Sequence, residues 1–167
     1  MKNYGKKTAF LGLCTALALI LAYVEAMLPP LMSAVPGIKM GLPNIIIVFL
    51  LYRHGPVTAG AVSLVRILMV ALLFGFNGMA ILYSLAGAIL SLTVMAVLRR
   101  LDFLSAVGVS VAGGVMHNVG QILMAMWLLG TNELGYYLIV LAISGTIAGV
   151  LIGLCGSVLI RRMPPIH

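Results

Sequence analysis

The chain has 167 residues, of which 63% are hydrophobic and 8% charged, with a mean hydropathy of +1.22, where soluble domains are roughly half apolar and about a quarter charged. That balance excludes a water-soluble globule. Ten Lys and Arg face three acids, Glu25, Asp102 and Glu133, which excludes an acid-built metal cluster and a two-carboxylate hydrolase.

At roughly 20 residues per crossing the chain holds one multi-pass domain, 1–167, for the cell membrane, and no soluble domain beside it. Segment one covers 8–28. The basic stretch Met1–Lys7 before it has the look of a signal peptide. The apolar run outlasts an h-region and no small-x-small cleavage pattern closes it, so it reads as a membrane anchor. Thr8, Gly12 and Ala16 form one row of small residues on it, and Ala18 and Ala22 another.

Next comes the only long connection, PPLMSAVPGIKMGLPN from Pro29 to Asn44. It is too apolar for an idle solvated loop and too rich in Pro and Gly for a helix. It is either a cap over a cavity or a loop resting on the membrane interface. Segment two, 42–53, is short for a span, so it either begins near Ile38 or crosses where the domain is thin or wet. Gly55 and Pro56 mark a tight turn into segment three, 56–74. Segments four, five and six cover 78–98, 103–129 and 135–160.

All six segments read as helices, because open strand edges do not persist in lipid and no run alternates as a barrel strand does. The expected fold is therefore an all-α bundle of six transmembrane helices. Lys2, Lys6, Lys7, Arg53, Arg99, Arg100, Arg161 and Arg162 fall at one end of the bundle and Lys39 alone at the other, which puts both termini in the cytoplasm. The net charge of +7 follows from that topology and from anionic lipid, so membrane lipid is an expected partner and nucleic acid is not.

A charged group at a membrane-helix centre costs about 2.5–3.5 kcal/mol, so buried polar residues are candidates for function. Arg66 lies deep in segment three. Glu25 lies near the outer end of segment one, Asn44 at the start of segment two, Asn77 and Tyr83 near the start of segment four, and His117, Asn118 and Gln121 past the middle of segment five. Lys39 stands in the long connection. Nearly all of these fall in the outer half, so an outward-opening pocket for a small molecule is expected there.

His117 and Gln121 are four apart and share a helix face, with Asn118 beside them. Such a group presents donors and acceptors to a ligand, or hydrogen-bonds helix to helix. Arg66 either pairs with Glu25 or, if Glu25 meets Lys39, is free for an anionic or electron-rich ligand group. Cys14 and Cys155 read as small core fillers. One His without a second ligand at metal spacing makes no metal site. No Walker A motif, paired-aspartate motif, dinucleotide turn or Ser/His/Asp set occurs, so neither catalytic residues nor a cofactor are expected.

Gly145, Gly149, Gly153 and Ser157 repeat every four residues in segment six, a second smooth stripe for close helix contact. One of the small-residue rows is expected to pack internally and another to remain free for a partner.

PGIKMGLPN (Pro36–Asn44), LVRIL (Leu64–Leu68), YSLAGAILSLTVM (Tyr83–Met95) and SVAGGVMHNVGQ (Ser110–Gln121) together resemble the Gx transporter family, labelled heptaprenyl diphosphate synthase component I and grouped with the S components of energy-coupling factor (ECF) transporters. The resemblance covers essentially the whole chain. It implies an S-component-like six-helix bundle with a substrate site under the first loop. It also implies that the row Thr8, Gly12, Ala16 docks a transmembrane coupling protein carrying two ABC ATPases. Pro43 departs from the small residue expected at that position. The function implied is capture of a small vitamin-like or metabolic precursor for import. The alternative is a non-transporting scaffold in isoprenoid, quinone or flavin-linked electron-transfer metabolism.

Overall fold

The computed structural model describes residues 2–27, 41–74 and 78–163. Among them are six α-helices: α1 (Lys2–Met27), α2 (Asn44–His54), α3 (Pro56–Phe74), α4 (Gly78–Leu98), α5 (Ala106–Leu129) and α6 (Leu138–Arg162). A 3-10 turn, Glu133–Tyr137, precedes α6, and no strand occurs among the described residues. Five of the helices, all but α2, are long and apolar enough to cross a membrane. The chain is thus an all-helical membrane protein.

Successive helices run antiparallel, and the chain's arginines tie one end of the bundle together. An Arg99 Nη1 group at the end of α4 donates to the Leu51 carbonyl of α2, and the Arg99 guanidinium lies 5.6 Å from the Tyr52 ring centroid. Arg53 donates through Nη2 to the carbonyls of Ile160 and Met163, the latter at 2.7 Å, where α6 ends. Helix C-termini leave carbonyls without intrahelical partners and carry partial negative charge, so guanidinium groups are well matched to them. This is the basic end. The opposite end carries the start of α2.

The shortness of α2 has a direct physical resolution. Its 11 residues span about 16 Å at 1.5 Å per residue, well below the ~30 Å hydrocarbon core. Every residue from Ile46 to Leu51 is buried, and α2 packs against α1, α3 and α6. It is lined by protein instead of lipid. Gly55, at φ +89°, closes α2 by donating its N–H to the Leu50 and Leu51 carbonyls, and Pro56 opens α3 directly. The glycine conformation and the proline start are what make the connection a single residue long.

Packing is closest where α5 lies between α4 and α6. A Cβ placed on Gly149 would sit 2.6 Å from Val111 Cα and 2.9 Å from the Ser110 carbonyl oxygen, and one on Gly114 would sit 2.5 Å from the Gly145 carbonyl oxygen. Backbone meets backbone there. The α6 stripe Gly145, Gly149, Gly153 is accordingly buried against α5. The α1 row is different: Thr8, Gly12 and Ala16 are exposed, and nothing lies within 4 Å of a Cβ built on Gly12. The second α1 row turns inward, with Ala18 at 0% exposure. One expectation needs correcting. Cys14 is a core filler, but Cys155 is exposed, because it lies on the opposite side of α6 from the glycine stripe.

Candidate functional site

Arg66 is carried in mid-α3, where any side chain must point at lipid or at protein. Its Nε is buried and has no hydrogen-bond partner among the described residues. The guanidinium interacts electrostatically with Glu25 of α1 and with His117 of α5. Three helices therefore converge their charged and imidazole groups on one region inside the bundle. A guanidinium stays protonated in proteins and presents five donors, so a buried one with an unused donor is able to bind an acceptor.

Glu25 holds the next position. Its Oε1 accepts the backbone N–H of Gly41, just ahead of α2. Gly41 sits at φ +75°, and a Cβ there would stand 2.9 Å from the Asn44 side-chain nitrogen. Glycine is required here both by the positive φ and by the contact. The Gly41 carbonyl in turn accepts the Asn44 N–H at 2.8 Å. The end of α1 and the start of α2 are thus coupled through one carboxylate and one turn, with Asn44 half-buried inside that turn. Sequence reasoning missed this use of Gly41, because a backbone N–H that meets Glu25 leaves no mark in the residue types.

His117 and Gln121 face α4 together, as their spacing requires. They meet it at Gly87: a Cβ on that residue would lie 2.8 Å from the His117 carbonyl oxygen, 2.9 Å from Gln121 Cγ and 3.0 Å from His117 Cε1. The imidazole also interacts with the Gly87 backbone. Gly87 is a second position the sequence did not single out, although its small neighbours in SLAGA hinted at close contact. Its role is to let the two polar side chains run between α4 and α5.

Asn118 points elsewhere. Its Nδ2 donates to the Leu141 carbonyl of α6 at 2.7 Å, and the residue is buried. One residue of the HNVGQ segment therefore fastens α5 to α6, while His117, Gly120 and Gln121 face α4. Tyr83 of α4 is half-buried. Lys39 and Asn77 lie outside the described residues, as does all of the Pro29–Pro43 connection before Gly41.

The arrangement brings together Arg66, Glu25 and His117, with Gln121 beside His117 and Asn44 beside the Glu25 contact. Among the described residues no group of three or more His, Cys, Asp and Glu side chains is placed to hold a metal ion. The acids stand on separate elements: Glu25 in α1, Asp102 in the α4–α5 turn and Glu133 in the 3-10 turn before α6, at the opposite end of the bundle from Asp102.

The family model described as heptaprenyl diphosphate synthase component I matches residues 14–159. No curated protein and no solved structure matches the chain.

Proposed function

The chain belongs to the heptaprenyl diphosphate synthase component I family, and from that premise we propose that it is the substrate-capturing membrane subunit of an energy-coupling factor type importer, binding a small vitamin-like or metabolic precursor molecule. The observation that carries this reading is the buried Arg66 Nε, without a hydrogen-bond partner among the described residues and flanked by Glu25 and His117. A membrane helix that serves only as a scaffold gains nothing from such a residue, whose insertion costs about 2.5–3.5 kcal/mol. A binding site gains a two-pronged donor.

In this reading Arg66 is the main polar anchor, His117 and Gln121 share recognition, and Glu25, Lys39, Asn44, Asn77 and Tyr83 surround the ligand toward the loop. Asn118 contributes by holding α5 in place. The exposed row Thr8, Gly12, Ala16 supports docking of a transmembrane coupling protein with its two ABC ATPases, because small side chains allow a second helix to approach closely. The subunit itself performs no covalent step. Prenyl diphosphate synthesis needs acids gathered to hold magnesium on the diphosphate, and the three acids here are spread over separate elements.

The test is mass spectrometry of small molecules retained by the full chain purified in mild detergent, on wild type, Arg66→Lys and Arg66→Gln. A compound held by wild type and lost from both variants, with their melting midpoints unchanged, is the expected result. Arg66→Lys keeps the charge but not the fork, so retention equal to wild type in both variants would reduce Arg66 to a structural partner.

A further inference from the structure

At the basic end, α1 is fastened to α2 by an aromatic contact. The Phe10 ring packs on the His54 ring with centroids 5.3 Å apart, and on Phe49 at 6.3 Å. Lys6 and Lys7 precede Phe10 by four and three residues on α1, so they occupy the same face as that contact, one turn nearer the helix start. Arg53 is the neighbour of His54 on α2, and both Lys7 and Arg53 act on His54 electrostatically. Two helices therefore bring Lys7, Arg53 and His54 to one place. The described residues at this end include a single acid, Asp102, exposed on the α4–α5 turn.

Gathering like charges is unfavourable unless an anion joins them. The Arg53 Nη2 is already turned to the carbonyls where α6 ends, so Arg53 supplies field, whereas Lys7 and His54 have donors to offer. Directly alongside, the surface is apolar: Leu13 and Leu17 of α1 are exposed, and Val57, in the first turn of α3, is 85% exposed. A ligand suited to this junction has a phosphate at the level of Lys7 and His54 and hydrocarbon running along Leu13, Leu17 and Val57.

We propose that Lys6, Lys7 and His54, assisted by the charge of Arg53, form a binding site for the headgroup of an anionic phospholipid between the basic ends of α1 and α2. This site is independent of the Arg66 region and of the import reading. The chemistry recognised is a phosphate anion; the apolar surface beside it selects a lipid over free phosphate. Juxtamembrane cations gain from an anionic leaflet in this way, and here the fold also supplies a defined place. His54 makes the site pH-sensitive. The groups facing it are Lys7 and the Phe10 ring of α1, Arg53 of its own helix, and Thr58 of α3, whose hydroxyl donates to the His54 carbonyl at 3.3 Å. A bound phosphate offsets the cations and favours the protonated imidazole.

Native mass spectrometry of the full chain in neutral detergent, titrated with phosphatidylglycerol, phosphatidylcholine or inorganic phosphate, tests this. Phosphatidylglycerol should bind in preference to phosphatidylcholine, and Lys6→Gln and Lys7→Gln should each weaken it about fivefold. Binding by wild type should tighten between about pH 7.5 and pH 5.5, and that gain should vanish in His54→Gln, whose fold is checked by an unchanged elution profile. Equal binding of the two lipids overturns the site, as does phosphatidylglycerol binding that is indifferent to all three substitutions. Inorganic phosphate binding as tightly as phosphatidylglycerol overturns the lipid as its occupant.

Discussion

The two sides of the bundle are built on different principles. On one side α4, α5 and α6 approach until backbone touches backbone, through Gly87 and Gly120 at one crossing and through Gly114, Gly145 and Gly149 at the other. On the other side α1 leans on α3 and α2 with side chains between, and one of its faces is uncovered. Membrane helices lack a hydrophobic driving force between them, so close van der Waals contact and interhelical hydrogen bonds must hold them together. By that measure α4–α5–α6 is the fixed wall and α1 is the adjustable one. His117 and Gln121 belong to the wall; Glu25 belongs to α1. A site assembled across this seam has rigid donors on one side and, on the other, a carboxylate whose helix is less firmly held.

The strongest way to break the comparison is to fill a glycine contact in the wall. Gly149→Leu forces a side chain into the α5 backbone, which has no rotamer to yield, and should destabilise the protein by about 3 kcal/mol or more. Gly12→Leu on α1 meets open space and should leave the melting midpoint in detergent where it was. Equal losses in the two variants would show that α1 is packed as tightly as α6. On the proposed function, Gly12→Leu should instead abolish co-purification with the coupling protein.

A smaller effect is expected from Asn118→Leu, which removes the bond to the Leu141 carbonyl while keeping similar volume. Interhelical hydrogen bonds of this kind contribute roughly 0.6–2 kcal/mol. The variant should melt slightly lower yet retain the same small molecules as wild type. If it keeps its stability and loses its ligand, Asn118 serves the site and not the wall.

The smallest effect sharpens how α1 is attached. Burial, then Lys7 and Arg53, hold the His54 imidazole below its ordinary value of 6.5. The folded state then binds fewer protons than the unfolded state as pH falls through that value, so stability rises with pH in this window and declines as His54 is forced to charge. A shallow loss of melting midpoint is expected between about pH 7.5 and pH 5 in lipid-free detergent, and His54→Gln should flatten it.

The helices and the polar inventory were legible in the sequence because lipid imposes both: long apolar runs must be helices, and polar residues within them stand out. Arg66, Glu25 and His117 were found that way, and the structure places Arg66 within electrostatic range of each of the other two. Rotational setting was not legible. Segment one is apolar around its whole circumference, so its pattern did not say that Ala18 turns inward, and an outward Gly12 was expected from the family resemblance alone. Nor did the spacing of His117, Asn118 and Gln121 reveal that the middle residue serves α6, because three residues spread over one turn can face two neighbours. Backbone partners were the least visible. The Gly41 N–H that meets Glu25 and the Gly87 position that admits His117 and Gln121 are contributions of residues with no side chain to read.

Enclosure of α2 bears on how the protein enters the bilayer. An isolated helix of 11 residues is too short to match ~30 Å of hydrocarbon, and no residue from Ile45 to His54 is exposed in the finished bundle. Such a helix has no stable lipid-facing state to wait in while its neighbours are synthesised. Gly55 and Pro56 fasten it to α3, whose 19 residues do suffice for a crossing, so the natural unit of insertion is the α2–α3 hairpin. Completion of α2's surroundings then depends on α6, which is made after the other five described helices.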